Sequence, residues 1–431
     1  MYLYFLLIRI AALLGHKKAR ALVCGQAETL KPTAPEERRL DENVRGAIWI
    51  HAASVGEFEQ ARPLIEKIVE SEKTKAERPK MVVTFFSPSG YEMRKNYDQV
   101  DKVLYMPFAT RRNARRFLDA LQPKMAIFVK YEFWPAYLHE LKKRAIPTYS
   151  ISAIFRPGQL FFLPWGKHHL ALLKCFTHIF VQDEPSRELL GKHGVTACSV
   201  AGDTRFDRVK RVRVEGMNDE RMNERLRPIE RFVEGAARVI VAGSTWPKDE
   251  ELLTKYIERV NELTNERVKL IIVPHEINEE HLHLIFRMLK GRMVRYSHWM
   301  SERANMELLG AGRPCDAHVM VVDAMGLLSS LYPFGQVAYI GGGFGVGIHN
   351  TIEAAVYGVP VLFGPNYHHF REAQGLIDAG AAHSVKDYAE LEAALNEALE
   401  KHEEMGAKAA AYVAAETGAT EKIYAEIFGN V

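Results

Sequence analysis

Two carboxylates stand where chemistry is expected: Glu57 in Ser54-Val55-Gly56-Glu57, and Glu132 in Lys130-Tyr131-Glu132-Phe133-Trp134-Pro135. Each closely follows an apolar run that reads as a buried strand. Carboxylates on such loops are what general-base chemistry on a hydroxyl group would use. By spacing alone either residue fits equally well as a helix cap, because the helix dipole favours an acid near an N-terminus.

A second constellation is glycine-rich. Gly341-Gly342-Gly343-Phe344-Gly345-Val346-Gly347-Ile348-His349-Asn350-Thr351-Ile352-Glu353 runs from a strand, VAYI, into an expected helix capped by Asn350 or Thr351. Glycines let backbone approach a ligand, and a helix N-terminus offers unpaired N–H groups to an anion. The dinucleotide fingerprint fails on spacing, since Val346 or Ile348 stands where its third glycine is required. Glu353 suits a ribose diol better than a pyrophosphate. Three further loops point the same way: Gly243-Ser244-Thr245 after an apolar strand, Pro274-His275, and Met325-Gly326-Leu327. Their convergence suggests a nucleotide or sugar nucleotide held by the C-terminal half.

Arg111, Arg112, Arg115 and Arg116 lie in one helical stretch and read either as a solvated face or as a partner for substrate phosphates. His275, His281, His283, His368 and His369 raise the question of a metal. Residue 279 is Glu, so His275-Glu276-Ile277-Asn278-Glu279 is not HExxH, and no metal site is expected.

The elements that must carry these residues alternate. Strands are expected at Ala47–Ala52, Met81–Phe85, Lys124–Val129, Pro147–Ile151, His178–Val181 and Thr196–Val200. Ser54–Glu57 reads as a turn and Glu59–Ser71 as a helix. After a gap the strands resume at Val239–Val241, Leu270–Val273, His318–Val322, Val337–Ile340 and Val359–Phe363. Short apolar runs between helices are the signature of parallel sheets covered on both faces. More than half of residues 205–235 are charged, which suits a solvated connector. The expected architecture is α/β: two doubly wound Rossmann-like domains, at 45–205 and 236–405, facing a central cleft. A connector at 206–235 joins them, and an Ala-rich helical segment closes the chain at 406–431.

The chain has 431 residues, and its formal charge of +3 gives no reason to expect nucleic acid as partner. Four cysteines (Cys24, Cys175, Cys198 and Cys315) with no CxxC exclude a disulfide scaffold and fit a reducing compartment. Met1–Leu14 is apolar apart from Arg9 and two tyrosine hydroxyls. His16, Lys17, Lys18 and Arg20 follow, with no acid before Glu28. Fourteen helical residues reach only about 21 Å, against roughly 30 Å of hydrocarbon. Residues 1–25 therefore read as a helix lying on a membrane surface, its basic flank held by anionic lipid, rather than as a span. The alternative is an ordinary buried N-terminal helix.

Six ordered motifs carry a family resemblance: HAASVGE (51–57), SPSG (87–90), YEFWP (131–135), AGDTRFD (201–207), AGST (242–245) and GGGFGVGIHNTIEAAVYGVPVLFGP (341–365). Together they resemble the 3-deoxy-D-manno-octulosonic acid (Kdo) transferases of lipopolysaccharide synthesis. The resemblance implies a GT-B glycosyltransferase, without metal or other cofactor, at the cytoplasmic face of a bacterial inner membrane. It implies transfer of Kdo from CMP-Kdo to the 6′-hydroxyl of a lipid A precursor, with inversion. By motif position Glu57 would be the general base, with Glu132 and Arg205 supporting the transition state. CMP would meet Gly243, Ser244, Thr245, Pro274, His275, Met325, Gly326, Leu327, Asn350, Thr351, Ile352 and Glu353 in the second domain. The acceptor would meet Ser54, Gly56, Ser87, Ser89, Gly90, Arg111 and Arg115 in the first. Three positions depart from the family pattern: His275 for the usual Arg, Arg205 for a common Lys, and Lys130-Tyr131 for a Glu-Thr pair. Other sugar-nucleotide enzymes on the same architecture (a UDP-sugar transferase or an epimerase) and a non-catalytic lipid-saccharide binder are the competing readings.

Overall fold

The structure is a computed structural model that describes residues 2–72, 78–216, 220–263, 267–289, 292–300 and 317–429; Cys315 lies outside them. The chain divides into two compact units, Met1–Arg208 together with Glu416–Val431, and Val209–Ala415.

The first unit is built on seven strands: β1 (Ile48–Ala52), β2 (Met81–Phe85), β3 (Lys102–Tyr105), β4 (Met125–Val129), β5 (Thr148–Ala153), β6 (His178–Val181) and β7 (Cys198–Val200). Their order is β3-β2-β1-β4-β5-β6-β7 and every pairing is parallel. β1 and β2 are buried along their whole length, as a sheet covered on both faces requires. Trp49, Phe117, Phe128 and Tyr137 pack on one face, and Phe58, Ile65 and Phe85 on the other.

The second unit repeats the plan with β8 (Arg238–Thr245), β9 (Val268–Pro274), β10 (Met293–Arg295), β11 (Val319–Val321), β12 (Val337–Ile340), β13 (Val361–Phe363) and β14 (Ala382–Ser384). Their order is β10-β11-β9-β8-β12-β13-β14, again all parallel. Two seven-stranded parallel α/β units are thus present, as the strand rhythm led one to expect. Three strands escaped the sequence reading: β3, β10 and β14. Each is a sheet edge of only three or four residues, a length at which a local pattern is easily passed over.

Several boundaries moved. The helix expected from Glu59 begins at Val55 and runs to Glu72, so Ser54–Glu57 is a helix start rather than a turn. The C-terminal Ala-rich run is two helices, His402–Glu416 and Ala419–Phe428, broken at Gly418, whose φ of 104° suits glycine. Asp207 holds the second of them, accepting from Gly418 N (2.6 Å), Thr420 N (2.7 Å) and Thr420 Oγ1 (2.7 Å). The charged stretch forms helices Thr204–Gly216 and Glu220–Val233; the latter tucks Ile229 and Phe232 inward while Arg225 Nη2 donates to Met325 O at 2.9 Å.

The N-terminal segment is a helix, α1 (Tyr2–Leu13), followed by α2 (Lys17–Glu28). Phe5 is buried against Phe108 (ring centroids 4.7 Å apart) and stacks on Trp134 (6.4 Å). Leu6, Leu7, Ile10, Leu13 and Leu14 are exposed, the last two by 87% and 82%. The helix is half-buried: Phe5 and Ile8 pack on the core, and an apolar stripe at helical spacing faces outward. No helix among the described residues is long and apolar enough to cross a membrane.

Candidate functional site

In a doubly wound sheet, ligands bind outside the carboxyl ends of the strands where the strand order reverses. That switch point lies between β1 and β4 in the first unit and between β8 and β12 in the second. Three of the five non-glycine residues with positive φ mark such strand ends: Lys130 after β4, Ser152 in β5 and Ser244 in β8. Backbone strain of this kind clusters at functional sites.

At the first switch point Glu57 occupies the opening turn of its helix. Its Oε2 accepts from Ser54 N at 3.0 Å, while Ser54 Oγ lies 3.5 Å from Glu57 N. Ser-x-x-Glu is the reciprocal capping arrangement, so Glu57 does cap its helix. It does more than cap. Burial raises its proton affinity above the ordinary carboxylate range, and the charge of Glu132 raises it further, against smaller opposing effects from His51 and the Ser54 and Ala53 amides. A cap alone has no need of a second acid.

Glu132 is held from two sides. Trp134 Nε1 donates to its Oε2 at 2.5 Å, and His51 Nε2 lies 3.1 Å from the same oxygen. His51 is wholly buried; its Nδ1 meets Thr84 Oγ1 at 2.9 Å, and Trp49 Nε1 donates to that hydroxyl at 2.8 Å. With Glu132 ionised, the His51 and Trp134 N–H groups both point at it. The loop after β2 adjoins: Ser87 N donates to Ala53 O at 2.7 Å, and the Ser87 and Ser89 hydroxyls pair at 2.6 Å. A side chain at Gly90 would run into Phe85, and Gly56 lies open.

The structure therefore brings Ser54, Gly56, Glu57, Ser87, Ser89 and Glu132 to the carboxyl ends of three adjacent strands. Arg205 is placed differently. Its Nε and Nη2 bind Asp203 Oδ2 at 2.8 and 2.7 Å, and Gln60 Nε2 donates to the other oxygen at 2.9 Å. Arg111 is exposed at the start of helix Arg111–Leu121, whereas Arg115 pairs with Glu140 at 3.4 Å.

At the second switch point two of the glycines serve close backbone packing. A Cβ at Gly341 would sit 2.3 Å from Ser244 O, and one at Gly343 would sit 2.6 Å from Gly364 Cα. These glycines let backbone approach backbone, locking the loop after β12 to its neighbours. The helix that follows is only Ile352–Ala355, and neither expected cap operates: Thr351 makes no side-chain cap bond. Its φ and ψ, −76° and −27°, are already helical, whereas a capping hydroxyl needs an extended residue. Asn350 Nδ2 instead donates to Glu353 Oε1 at 2.9 Å. Asn350 Oδ1 and Thr351 Oγ1 are buried without a hydrogen-bond partner, which ordinary native structures rarely tolerate unless something else binds there.

Asp249, which the sequence reading missed, fastens both sides of this switch point. It accepts from Trp246 N (2.9 Å), Gly342 N (2.9 Å) and Tyr339 Oη (2.8 Å). Its neighbour Glu250, equally buried, accepts from Thr245 Oγ1 at 2.8 Å and lies 2.8 Å from His281 Nε2. His275 is sandwiched between Trp246 (rings 5.0 Å apart) and His349 (4.5 Å), and its N donates to Thr245 O at 3.0 Å. Burial, and next His275, depress the proton affinity of His349. Met325 and Gly326 are exposed, whereas Leu327 and Ile352 are wholly buried and offer only backbone. Among the described residues no three His, Cys, Asp or Glu side chains converge as metal ligands.

Residues 25–208 match the family model described as 3-Deoxy-D-manno-octulosonic-acid transferase (kdotransferase). The 3-deoxy-D-manno-octulosonic acid transferase of Aquifex aeolicus is 26% identical over 385 residues, covering 88% of this chain and 93% of the relative. That of Haemophilus influenzae is 25% identical over 379 residues, covering 83% and 81%. Among solved structures, a UDP-GlcNAc 2-epimerase from Neisseria meningitidis bound to UDP-GlcNAc aligns with a TM-score of 0.63 at 15% identity, over 89% of this chain and 100% of that one. That likeness is one of fold.

Proposed function

We propose that this chain, a relative of the Kdo transferases, is itself a glycosyltransferase that moves Kdo from CMP-Kdo to the 6′-hydroxyl of a lipid A precursor and releases CMP. The observation that carries the chemistry is the carboxylate pair at the first switch point, with Glu57 pushed up in proton affinity by burial and by Glu132. A carboxylate shifted in this direction holds a proton more firmly than a free one, which suits it to take the proton of a hydroxyl group.

In the proposed step the Glu57 carboxylate takes the acceptor hydroxyl proton as that oxygen bonds to the anomeric carbon. The bond from that carbon to the CMP phosphate breaks, and its electron pair leaves with CMP. Attack opposite the leaving group inverts the anomeric centre. Glu132, fixed by His51 and Trp134, presents negative charge where the sugar becomes cationic. Ser54, Ser87 and Ser89 line the acceptor side. The buried unpaired oxygens of Asn350 and Thr351, with Glu353, face the nucleoside, and His275 stands toward the phosphate. Helix α1, with its outward apolar stripe and basic flank, lies on the cytoplasmic face of the inner membrane, where the lipid acceptor is found.

The test is mass spectrometry of a bisphosphorylated tetraacyl lipid A precursor incubated with the full chain and freshly made CMP-Kdo. A product heavier by one or more Kdo units supports the reading. An unchanged acceptor, with donor intact and a known transferase active in parallel, overturns it. Competition between CMP and UDP for binding then separates an epimerase-like enzyme from a binding protein.

A further inference from the structure

A second surface of the first unit shares the character of α1. Between Glu140 and Asp183 the chain carries no Asp or Glu, against six Lys or Arg. At the middle of this acid-free stretch, residues 156–169, a turn running into the opening of helix Lys167–Leu173, leave Trp165 71% and Leu160 40% exposed. Lys167 and His168, beside Trp165, are exposed as well.

The turn is built, not slack. Gln159 N donates to Arg156 O (3.0 Å), Phe162 N to Gln159 O (3.0 Å) and Gly166 N to Leu163 O (2.8 Å). A Cβ on Gly166 would lie 1.7 Å from Leu160 O, so the chain closes on itself only with glycine there. Trp165 and Leu160 are thereby presented by a fixed backbone. A large aromatic ring held out in water beside the Lys167 cation calls for a surface that receives both.

The roots of this turn meet the roots of α1. Phe161 packs on Phe133 (5.1 Å between centroids) and Phe162 on Phe155 (5.9 Å). Phe133 adjoins Trp134, on which Phe5 of α1 stacks, and Ile8 packs against the same cluster. Two segments free of acids, each with outward apolar side chains and basic neighbours, thus stand on one aromatic core.

We propose that the 156–169 turn is a second membrane-contact element, with Trp165 and Leu160 entering the headgroup region of an anionic bilayer beside the apolar stripe of α1. The inference shares with the proposed function only the premise that α1 rests on a membrane. Tryptophan is at home at that depth, where its ring is apolar and its N–H is wet. Each Lys or Arg held near an anionic surface strengthens binding by about fivefold. Two contacts also fix the protein's rotation about α1, which a single helix leaves free.

The experiment is flotation of the full chain with vesicles of phosphatidylcholine plus phosphatidylglycerol and with phosphatidylcholine alone. Trp165→Ser with Leu160→Ser, α1 left intact, is expected to weaken binding to the anionic vesicles about tenfold or more, since two apolar side chains lose their burial. Both residues are exposed, so circular dichroism and Tm stay unchanged. Brominated acyl chains are expected to quench wild-type fluorescence, and Trp165→Phe to remove the quenched part. Unaltered flotation of the double variant, or equal quenching in Trp165→Phe, overturns the proposal. So does self-association of the wild type, without vesicles, that the double variant abolishes, because the occupant is then a second copy. No donor or acceptor is present, so a chain that transfers no Kdo yet floats through Trp165 would sink the proposed function and leave this inference standing.

Discussion

His51 Nε2 lies 3.1 Å from Glu132 Oε2, joining a residue on the innermost part of the first sheet to an acid beyond a neighbouring strand. The histidine is itself anchored through Thr84 to Trp49, so a relay of buried polar groups ends on that carboxylate. This fixes the position of the carboxylate whose charge, second to burial, raises the proton affinity of Glu57.

Glu57→Gln is expected to keep the helix cap, since Gln accepts from Ser54 N as Glu does, but to lower turnover by about 10²–10⁴-fold. Because the folded protein holds the Glu57 proton more tightly than the unfolded chain, ionising Glu57 costs stability as pH rises. The variant should therefore be no less stable than wild type at neutral pH. Glu57→Ala should lose turnover and about 1 kcal/mol of stability with the cap. Thermal melts and initial rates check both, and near-normal turnover in Glu57→Gln would remove it as the base.

The pH profile follows from the same pair. The base must be ionised, so kcat/KM should rise with pH through a limb lying above the ordinary glutamate value of 4.5. Glu132→Gln removes one of the two causes of the upward shift. The limb of the residual activity should move to lower pH, though not all the way, since burial remains. A limb that stays in place would mean the two charges do not communicate.

His51→Phe keeps an aromatic ring, a somewhat larger one, but leaves Glu132 with Trp134 alone and takes a hydrogen-bond partner from Thr84. A fall in kcat with little change in KM for donor is expected, together with a stability loss of about 1–3 kcal/mol from disturbed buried polar groups. If KM rises while kcat holds, His51 serves binding rather than the positioning of Glu132.

Asp249→Asn tests the second switch point. An amide can keep one oxygen for the Trp246 and Gly342 N–H groups, which share Oδ2, but it loses the carboxylate charge and sets an NH2 in place of the oxygen that accepts from Tyr339 Oη. CMP affinity, measured by calorimetry, should weaken by about tenfold, in line with the loss of one hydrogen bond to a charged group. Unchanged affinity would separate the glycine-rich loop from nucleotide binding.

Arg205 carries a structural duty that any catalytic test must respect. Burial alone would raise the proton affinity of Asp203, but the Arg205 charge and hydrogen bonds outweigh it and hold Asp203 below the ordinary range. A depressed carboxylate stabilises the fold above its unfolded pKa and loses that contribution as pH falls through its folded one. Arg205→Met strands a buried charge and should cost about 3 kcal/mol, whereas Arg205→Lys keeps a cation in place. Urea titrations of the two should differ accordingly, and activity should be compared only in the lysine variant.

The sequence by itself determined much of this protein. Apolar runs buried on both sides announce central strands wherever they occur, and VAYI, HIFV and MVVTF fall on strands residue for residue. Ser54 and Glu57 specify their capping pattern locally, because the contacts that form it lie within one helical turn. The tertiary structure decided what those residues do together. Glu57 and Glu132 meet because β1 pairs with β4 although β2 and β3 lie between them in the chain. Asp249, by the same logic, reaches Gly342 only because β8 lies beside β12. Local spacing carries no record of which strands become neighbours. That choice is made by the burial of whole faces against one another, and with it come the buried partners of Glu132, the locked glycine loop and the commitment of Arg205 to Asp203.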